Sequence, residues 1–347
     1  MPDLRQQRQT WFWLFTAGCV AAAAGYVVWR VNGSDPATSP AAVEIVDPAT
    51  LATIASLQSS PHLYFASARA DHFMNAGVAS IAEPDRGLIT GLNCERIHFG
   101  REHGLCLSEN RRQLTPVTVA RIIDRRFHAI HTISLGGLPI RARVSADDRY
   151  AVATVFVTGE NYVSDFTTRT TLIDIASGRL LGDLEQFVTE RDGQVFREVD
   201  FNFWGVTFFD DSNRFFATLG TGGRRFLVEG DIARRRLRVV RDDVECPSLS
   251  PDQKRLVFKS RTRGTPAWRL HALDLATMVE WPVTAANLNI DDQAEWLDNE
   301  HVLYGVHDDI GLPEQAMNIW ISPVTTPGAA PESAIFLRSA SSPAVSR

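Results

Sequence analysis

Carboxylates gather at one place in this 347-residue chain: Asp291, Asp292, Glu295 and Asp298 fall close together, and Asp308 and Asp309 follow the next apolar stretch. Oxygen ligands of this kind suit calcium. A carboxylate pair held ~5–9 Å apart suits glycoside chemistry, a separation that sequence does not supply. Asp298 has a simpler role as well, because an aspartate in a tight turn hydrogen-bonds its own backbone. Upstream, Phe201-Asn202-Phe203-Trp204 lies between Arg197 and Arg214. Phe201, Phe203 and Trp204, together with Asp291, Asp292 and Glu295, form the candidate binding surface for a sugar or peptide. Alternating aromatics in a strand also serve core packing.

Other chemistries lack their residues. No Gly-x-Ser-x-Gly elbow and no His-Glu-x-x-His pair occurs, and the close histidines His98 with His103 and His301 with His307 have no matching ligand set. Gly220-Thr221-Gly222-Gly223 lacks the Lys-Ser/Thr of a phosphate loop and sits between two apolar runs, which reads as a β-turn. No catalytic residue, resident metal or cofactor is expected, calcium being the one cation the acidic cluster suggests. A formal net charge of -6 excludes a strongly basic nucleic-acid surface. Only two of the 35 basic residues are lysines, Lys254 and Lys259, the mark of GC-rich coding.

The elements that must position these residues repeat. Ser250-Pro251-Asp252-Gln253-Lys254-Arg255-Leu256-Val257-Phe258 is a polar turn running into a strand. The unit returns at Ser145 to Val152, at Asp210 to Ala217 and at Leu297 to Tyr304. Taking Asp147, Asp211, Asp252 and Asp298 as equivalent turn positions gives spacings of 64, 41 and 46 residues. Two of these match a four-stranded propeller blade of ~40–45 residues. The long interval contains the connections 157–167 and 185–201, which are candidate contact loops. Six blades are expected, with the strand near Ile335 to Leu337 completing the first.

Before the repeats, Trp11 to Trp29 is an uncharged apolar run of the length that crosses a ~30 Å bilayer core as a helix. Aromatic residues stand at both ends, and Arg5 and Arg8 precede it. The positive-inside rule therefore puts residues 1–10 in the cytoplasm and the remainder outside. A cleaved signal peptide ending near Ala21 to Ala24 is the alternative. Residues 30–48 read as a linker, 49–338 as the propeller and 339–347 as a tail. An exported compartment permits disulfides. Cys94 and Cys106 flank a predicted hairpin turn at Phe99 to His103, and they can bridge only if the strand register keeps both on one face.

The repeats, above all Cys246-Pro247-Ser248-Leu249-Ser250-Pro251-Asp252, resemble those of TolB-like β-propellers over residues 55 to 338. Asp200 to Phe208, Thr221 to Arg225 and Asp291 to Asp298 are similar to a membrane-anchored type from high-GC Gram-positive bacteria. The resemblance implies an all-β, six-bladed propeller behind one transmembrane helix, located at the cell membrane. It implies no reaction. The expected role is a non-catalytic binding or scaffolding module for an envelope protein or small ligand. A sensor of small glycans or peptides, and a hydrolase or lyase using channel carboxylates, are the alternatives.

Overall fold

The computed structural model describes residues 4–32, 47–113, 115–157, 166–261, 267–285, 289–307, 317–324, 327 and 332–346, without the side chains of 4–10 and 26–32. The chain divides into two units, residues 1–42 and 43–347. The first contains helix α1, Leu4–Asn32. Among the described residues, no helix is long and apolar enough to cross a membrane. Asp308 and Asp309, and most of the 157–167 connection, lie outside the described residues.

The second unit is a six-bladed all-β propeller. Blade 2 shows the plan: Arg96–Phe99, His103–Glu109, Val117–Asp124 and Ala129–Gly136 pair in sequence order as an antiparallel meander. Blade 3 spans Leu138–Val144 to Leu180–Asp183, blade 5 Glu245–Leu249 to Glu280–Pro282, and blade 6 Glu295–Trp296 to Ala334–Leu337. The first strands of neighbouring blades touch one another round the ring, so they line its axis. Blade 1 takes three strands from residues 62–93 and its innermost strand, Ala340–Ser346, from the chain's last residues. Closure therefore differs from the expectation. Ile335 to Leu337 belongs to the outer edge of blade 6, and the segment expected as a tail closes the ring. That segment, ASSPAVS, is a poor match to the apolar strand pattern, yet Ala340, Ala344 and Val345 are buried.

Each blade-to-blade seam holds its own apolar cluster. Tyr64 and Ile97 meet between blades 1 and 2, Leu105 and Ala151 between 2 and 3, and Val152 and Phe215 between 3 and 4. Flat aromatic packing on glycine tightens three blades. Phe65 stands opposite Gly77, Phe99 opposite Gly104 and Phe215 opposite Gly230. A Cβ on Gly230 would come within 2.1 Å of the Phe215 ring, so no other residue fits there. Helix α2, Pro48–Leu57, precedes blade 1 and was not foreseen. Asp47 caps it by accepting from the Ala49 and Thr50 amides, Pro48 opens it, and Ile54 buries itself in the blade 1–2 seam.

The four repeat aspartates do occupy corresponding turns between the first two strands of their blades. Asp147 accepts from the Arg149 amide, Asp211 from Asn213 and Arg214, Asp252 from Lys254, and Asp298 from Glu300 and His301. In three of them the next residue, Asp148, Ser212 or Gln253, takes a left-handed φ of 59°, 54° or 57°. These residues then reach the neighbouring blade. Asp148 accepts from the Arg101 and Glu102 amides of blade 2, and Gln253 donates to Asp210 of blade 4.

The 185–201 connection is structured. Val188–Arg191 pairs in parallel with Arg236–Asp242, the outer strand of blade 4, and turns through Asp192-Gly193 into Gln194–Val195. Blade 4 thus has six strands. Phe187 and Thr189 are buried beneath this hairpin, so it is part of the domain and deleting it would open the core. At its root, Glu185 accepts from the Thr170 amide at 3.2 Å. Burial, with Asp183 beside it, pushes the Glu185 carboxyl up to about 8.

Two predictions follow from these features. Cys94 and Cys106 are joined as a disulfide with Cα atoms 5.4 Å apart, while Cys19 and Cys246 are free. Ile97 stands directly opposite Cys106, so Cys94 reaches it from the bend before the ladder. In unfolded, unreduced protein from its native compartment, thiol labelling should count two cysteines, and four after reduction. Four in both would mean that no bridge forms. For Glu185, the folded state holds a proton that the unfolded state releases near the ordinary glutamate range, so stability is full below that range and declines as pH rises towards 8. Thermal melts of wild type should fall between pH 5 and 9 more steeply than those of Glu185→Gln. Parallel curves would contradict this.

Candidate functional site

The propeller axis is where the blades deliver polar side chains. In blades 2 to 6 the residue two places before the turn amide falls on the same level of the inner strand. The turn amides of Gly100, Ser145, Phe209, Ser250 and Leu297 each bond the carbonyl opening the next strand. Counting back two places gives His98, Arg143, Thr207, Ser248 and Glu295. Arg143, Thr207, Ser248 and Glu295 are buried, and His98 is half-buried.

Arg143 dominates this level. Its guanidinium crosses the axis from blade 3 to blade 6, donating to Glu295 Oε2 and, at 3.0 Å, to the Ala294 carbonyl. A further N–H approaches Ser248 Oγ on blade 5 at 3.4 Å. Blades 3 and 6 are opposite members of a ring of six, so this is a strut across the whole diameter. The Arg143 residue is only 7% exposed, and an unpaired guanidinium there would be strongly disfavoured. Glu295 has other donors. His98 Nε2 lies 3.6 Å from Oε2, and the Val345 amide of blade 1 lies 3.4 Å from Oε1. His98 Nδ1 accepts the Val144 amide at 3.1 Å, which leaves the ring proton on Nε2, facing the carboxylate.

Deeper along the axis a second set of ties follows. Gln293 donates to the carbonyls of Val206 on blade 4 and Pro247 on blade 5, at 3.0 and 2.8 Å. Arg141 reaches the Asp291 carbonyl at 3.4 Å. Lys259 is buried between Glu245 Oε1 at 3.2 Å and Asp291 Oδ1 at 2.5 Å. Against the upward push of burial, Lys259 and Arg141 hold the Asp291 carboxyl down to about 2. Burial pushes the neighbouring Cys246 thiol up, making it a poor nucleophile.

These ties floor a cavity of about 750 Å³ that opens on the turn face of the ring. Val144, Phe208, Leu249 and Trp296 supply apolar wall, and Arg101, Glu102, Arg125 and Asp210 stand among the residues towards its mouth. The end of helix α2 borders it, held by reciprocal bonds between Gln58 and Arg125.

The candidate surface is dispersed. Glu295 is in the floor of the cavity and Asp291 in the deeper ties. Asp292 turns away and accepts the Gly305 amide at 3.0 Å, while Asp298 serves its turn. Among the described residues, no group of three His, Cys, Asp or Glu side chains comes together to hold a metal ion. The aromatic platform is a correction. Phe203 and Trp204 are buried, and Phe201 is half-buried with its ring 5.1 Å from that of Phe196. The two buried aromatics pair in register with the next strand, Phe203 with Leu219 and Trp204 with Thr218, and Gly205, at φ 64° and pressed against the Cys246 backbone, breaks the ladder after them. Sequence reasoning missed His98, Arg143, Thr207 and Ser248. Stacking the repeats on their turn aspartates would have aligned Arg143, Thr207 and Ser248, each four places before its aspartate.

Removing one end of the strut should cost far more than removing both. Glu295→Ala should destabilise by about 3–5 kcal/mol, since it strands a buried cation. The double change Arg143→Met with Glu295→Leu should recover most of that loss in denaturant unfolding. Additive losses would mean that the two side chains do not interact.

No protein-family model and no curated protein matches this chain. Solved structures do. TolB from Acinetobacter baumannii superposes with a TM-score of 0.55 at 12% identity, over 83% of this chain and 66% of that one. The present chain therefore spans just under two thirds of that protein's length. A TolB candidate from Agrobacterium tumefaciens gives 0.50 at 9% identity, over 81% of this chain and 90% of that one. An oligogalacturonate lyase in complex with manganese superposes less well, at 0.47 and 9% identity over 73% and 72% of the two chains. At such identities the likeness is one of fold, and the fold is the TolB-like six-bladed β-propeller.

Proposed function

We propose that this protein is a non-catalytic binding module, tethered to the cell membrane by residues 11–29 and presenting its propeller outside. The observation that supports binding over turnover is the occupied floor of the cavity. A general base needs a free lone pair. Glu295 is held by Arg143, and both nitrogens of His98 are engaged. The Ser248 hydroxyl faces the Arg143 guanidinium, and among the described residues no His, Asp or Glu side chain bonds it. A preformed cavity with apolar walls and mixed charges suits a small ligand or an inserted segment of an envelope protein. The apolar run with Arg5 and Arg8 before it supports the tether.

Ala146 is exposed at the cavity mouth, so Ala146→Trp obstructs entry without disturbing the core. Wild-type full-length protein should retain a ligand from envelope extracts that Ala146→Trp does not, and neither should turn over peptide, ester or glycoside substrates. Turnover abolished by Glu295→Gln would establish an enzyme instead. For the tether, protease added outside intact, wall-stripped cells should digest the propeller and spare the N-terminal helix. A soluble form beginning near Gly25 would show a cleaved signal.

A further inference from the structure

The charges lining the cavity cancel, and they cancel unevenly in space. Three guanidiniums, of Arg101, Arg125 and Arg143, face three carboxylates, of Glu102, Asp210 and Glu295. Arg143 is satisfied by Glu295, and Arg125 lies 3.7 Å from Glu102. His62 is buried between the Ser60 carbonyl and Tyr64, and burial, with Arg125 nearby, pushes its ring down towards the neutral form. One charge of each sign remains. Among the described residues the Arg101 guanidinium has no partner, and Asp210 has only the neutral amide of Gln253 at 2.6 Å. Both side chains are exposed at the mouth. The Arg101 backbone N–H donates to Asp148 Oδ1 at 3.0 Å, so the ring of turns fixes where this side chain starts.

We propose that the cavity takes a short zwitterionic peptide, its carboxylate at Arg101 and its ammonium at Asp210. The proposal rests on the binding reading above and gives it a ligand class. Arg101 belongs to blade 2 and Asp210 to blade 4, with blade 3 between them. A ligand that meets both charges therefore reaches across blade 3. An extended peptide gains ~3.3 Å per residue and can span the gap. The volume, about 750 Å³, falls inside the ~300–1,000 Å³ range of small-ligand sites. Apolar side chains between the two termini meet Val144, Phe208 and Leu249. A polyanion is disfavoured, because it would find one unpaired cation, Arg101, and would face the uncompensated carboxylate of Asp210.

The test titrates full-length protein in detergent with three peptides by calorimetry: trileucine with free termini, its N-acetyl form and its C-terminal amide. Wild type should bind free trileucine and lose at least tenfold in affinity on either blockage, about 1.4 kcal/mol. Asp210→Asn should no longer distinguish the acetylated form, and Arg101→Gln should no longer distinguish the amide. Absence of trileucine binding, equal affinity for all three peptides, or discrimination that persists in the variants would overturn the proposal. If the blocked peptides bind as well as the free one and Ala146→Trp abolishes all binding, the zwitterion is wrong and the binding cavity stands. If Ala146→Trp leaves trileucine binding unchanged, the cavity is wrong too.

Discussion

A single buried ion pair, Arg143 with Glu295, fixes what the propeller axis can be. It ties opposite blades across the axis and, above the ties made by Gln293 and Lys259, gives the cavity its floor. Bringing both charges out of water is expensive, and their attraction offsets this only where further hydrogen bonds complete both groups. The Ala294 carbonyl accepts a second guanidinium N–H and the Val345 amide approaches the other carboxylate oxygen, while Arg143 Nε has no partner among the described residues. Arginine suits this position because its planar fork addresses several acceptors at once. The pair therefore contributes more to the definition of the ring than to its net stability.

Val345 connects that strut to closure. Its strand is supplied by residues 340–346 and is paired to His62–Ser67, so the strand that closes the ring also reaches the carboxylate of the strut. Closure removes the open sheet edges that would otherwise pair with other chains. The seams between blades add apolar burial, and the turn residues add polar contacts from blade to blade. The cavity mouth lies on that ring of turns. The positions of Arg101 and Asp210 are thus consequences of the same backbone geometry that holds the blades in register.

Architecture was legible because it repeats. Asp147, Asp211, Asp252 and Asp298 mark turns whose backbone amides need an acceptor, and that need is local enough to show in sequence. Closure was harder to read. Ala340–Ser346 has small residues because it is the crowded inner strand, and small residues carry little strand signal, so the more apolar Ile335 to Leu337 drew the assignment. The site was legible only in Glu295. Its neighbours in the acidic run diverge because Asp291 and Asp292 precede the strand and Asp298 serves the turn after it. Phe203 and Trp204 illustrate the same limit, since a ring at the protein surface and a ring in a seam have identical sequence signatures. Arg143 was invisible as a partner for Glu295 because they are 152 residues apart in the chain and meet only across the closed ring.

Native-state hydrogen exchange resolved by residue addresses the strut most directly. If Arg143 and Glu295 couple opposite blades, the inner-strand amides Val144 of blade 3 and Val345 of blade 1, and Leu303 opposite Glu295 in blade 6, should open together, with one free energy equal to that of global unfolding. Independent opening of blades 3 and 6, each at its own lower free energy, would contradict a structure organised around that pair.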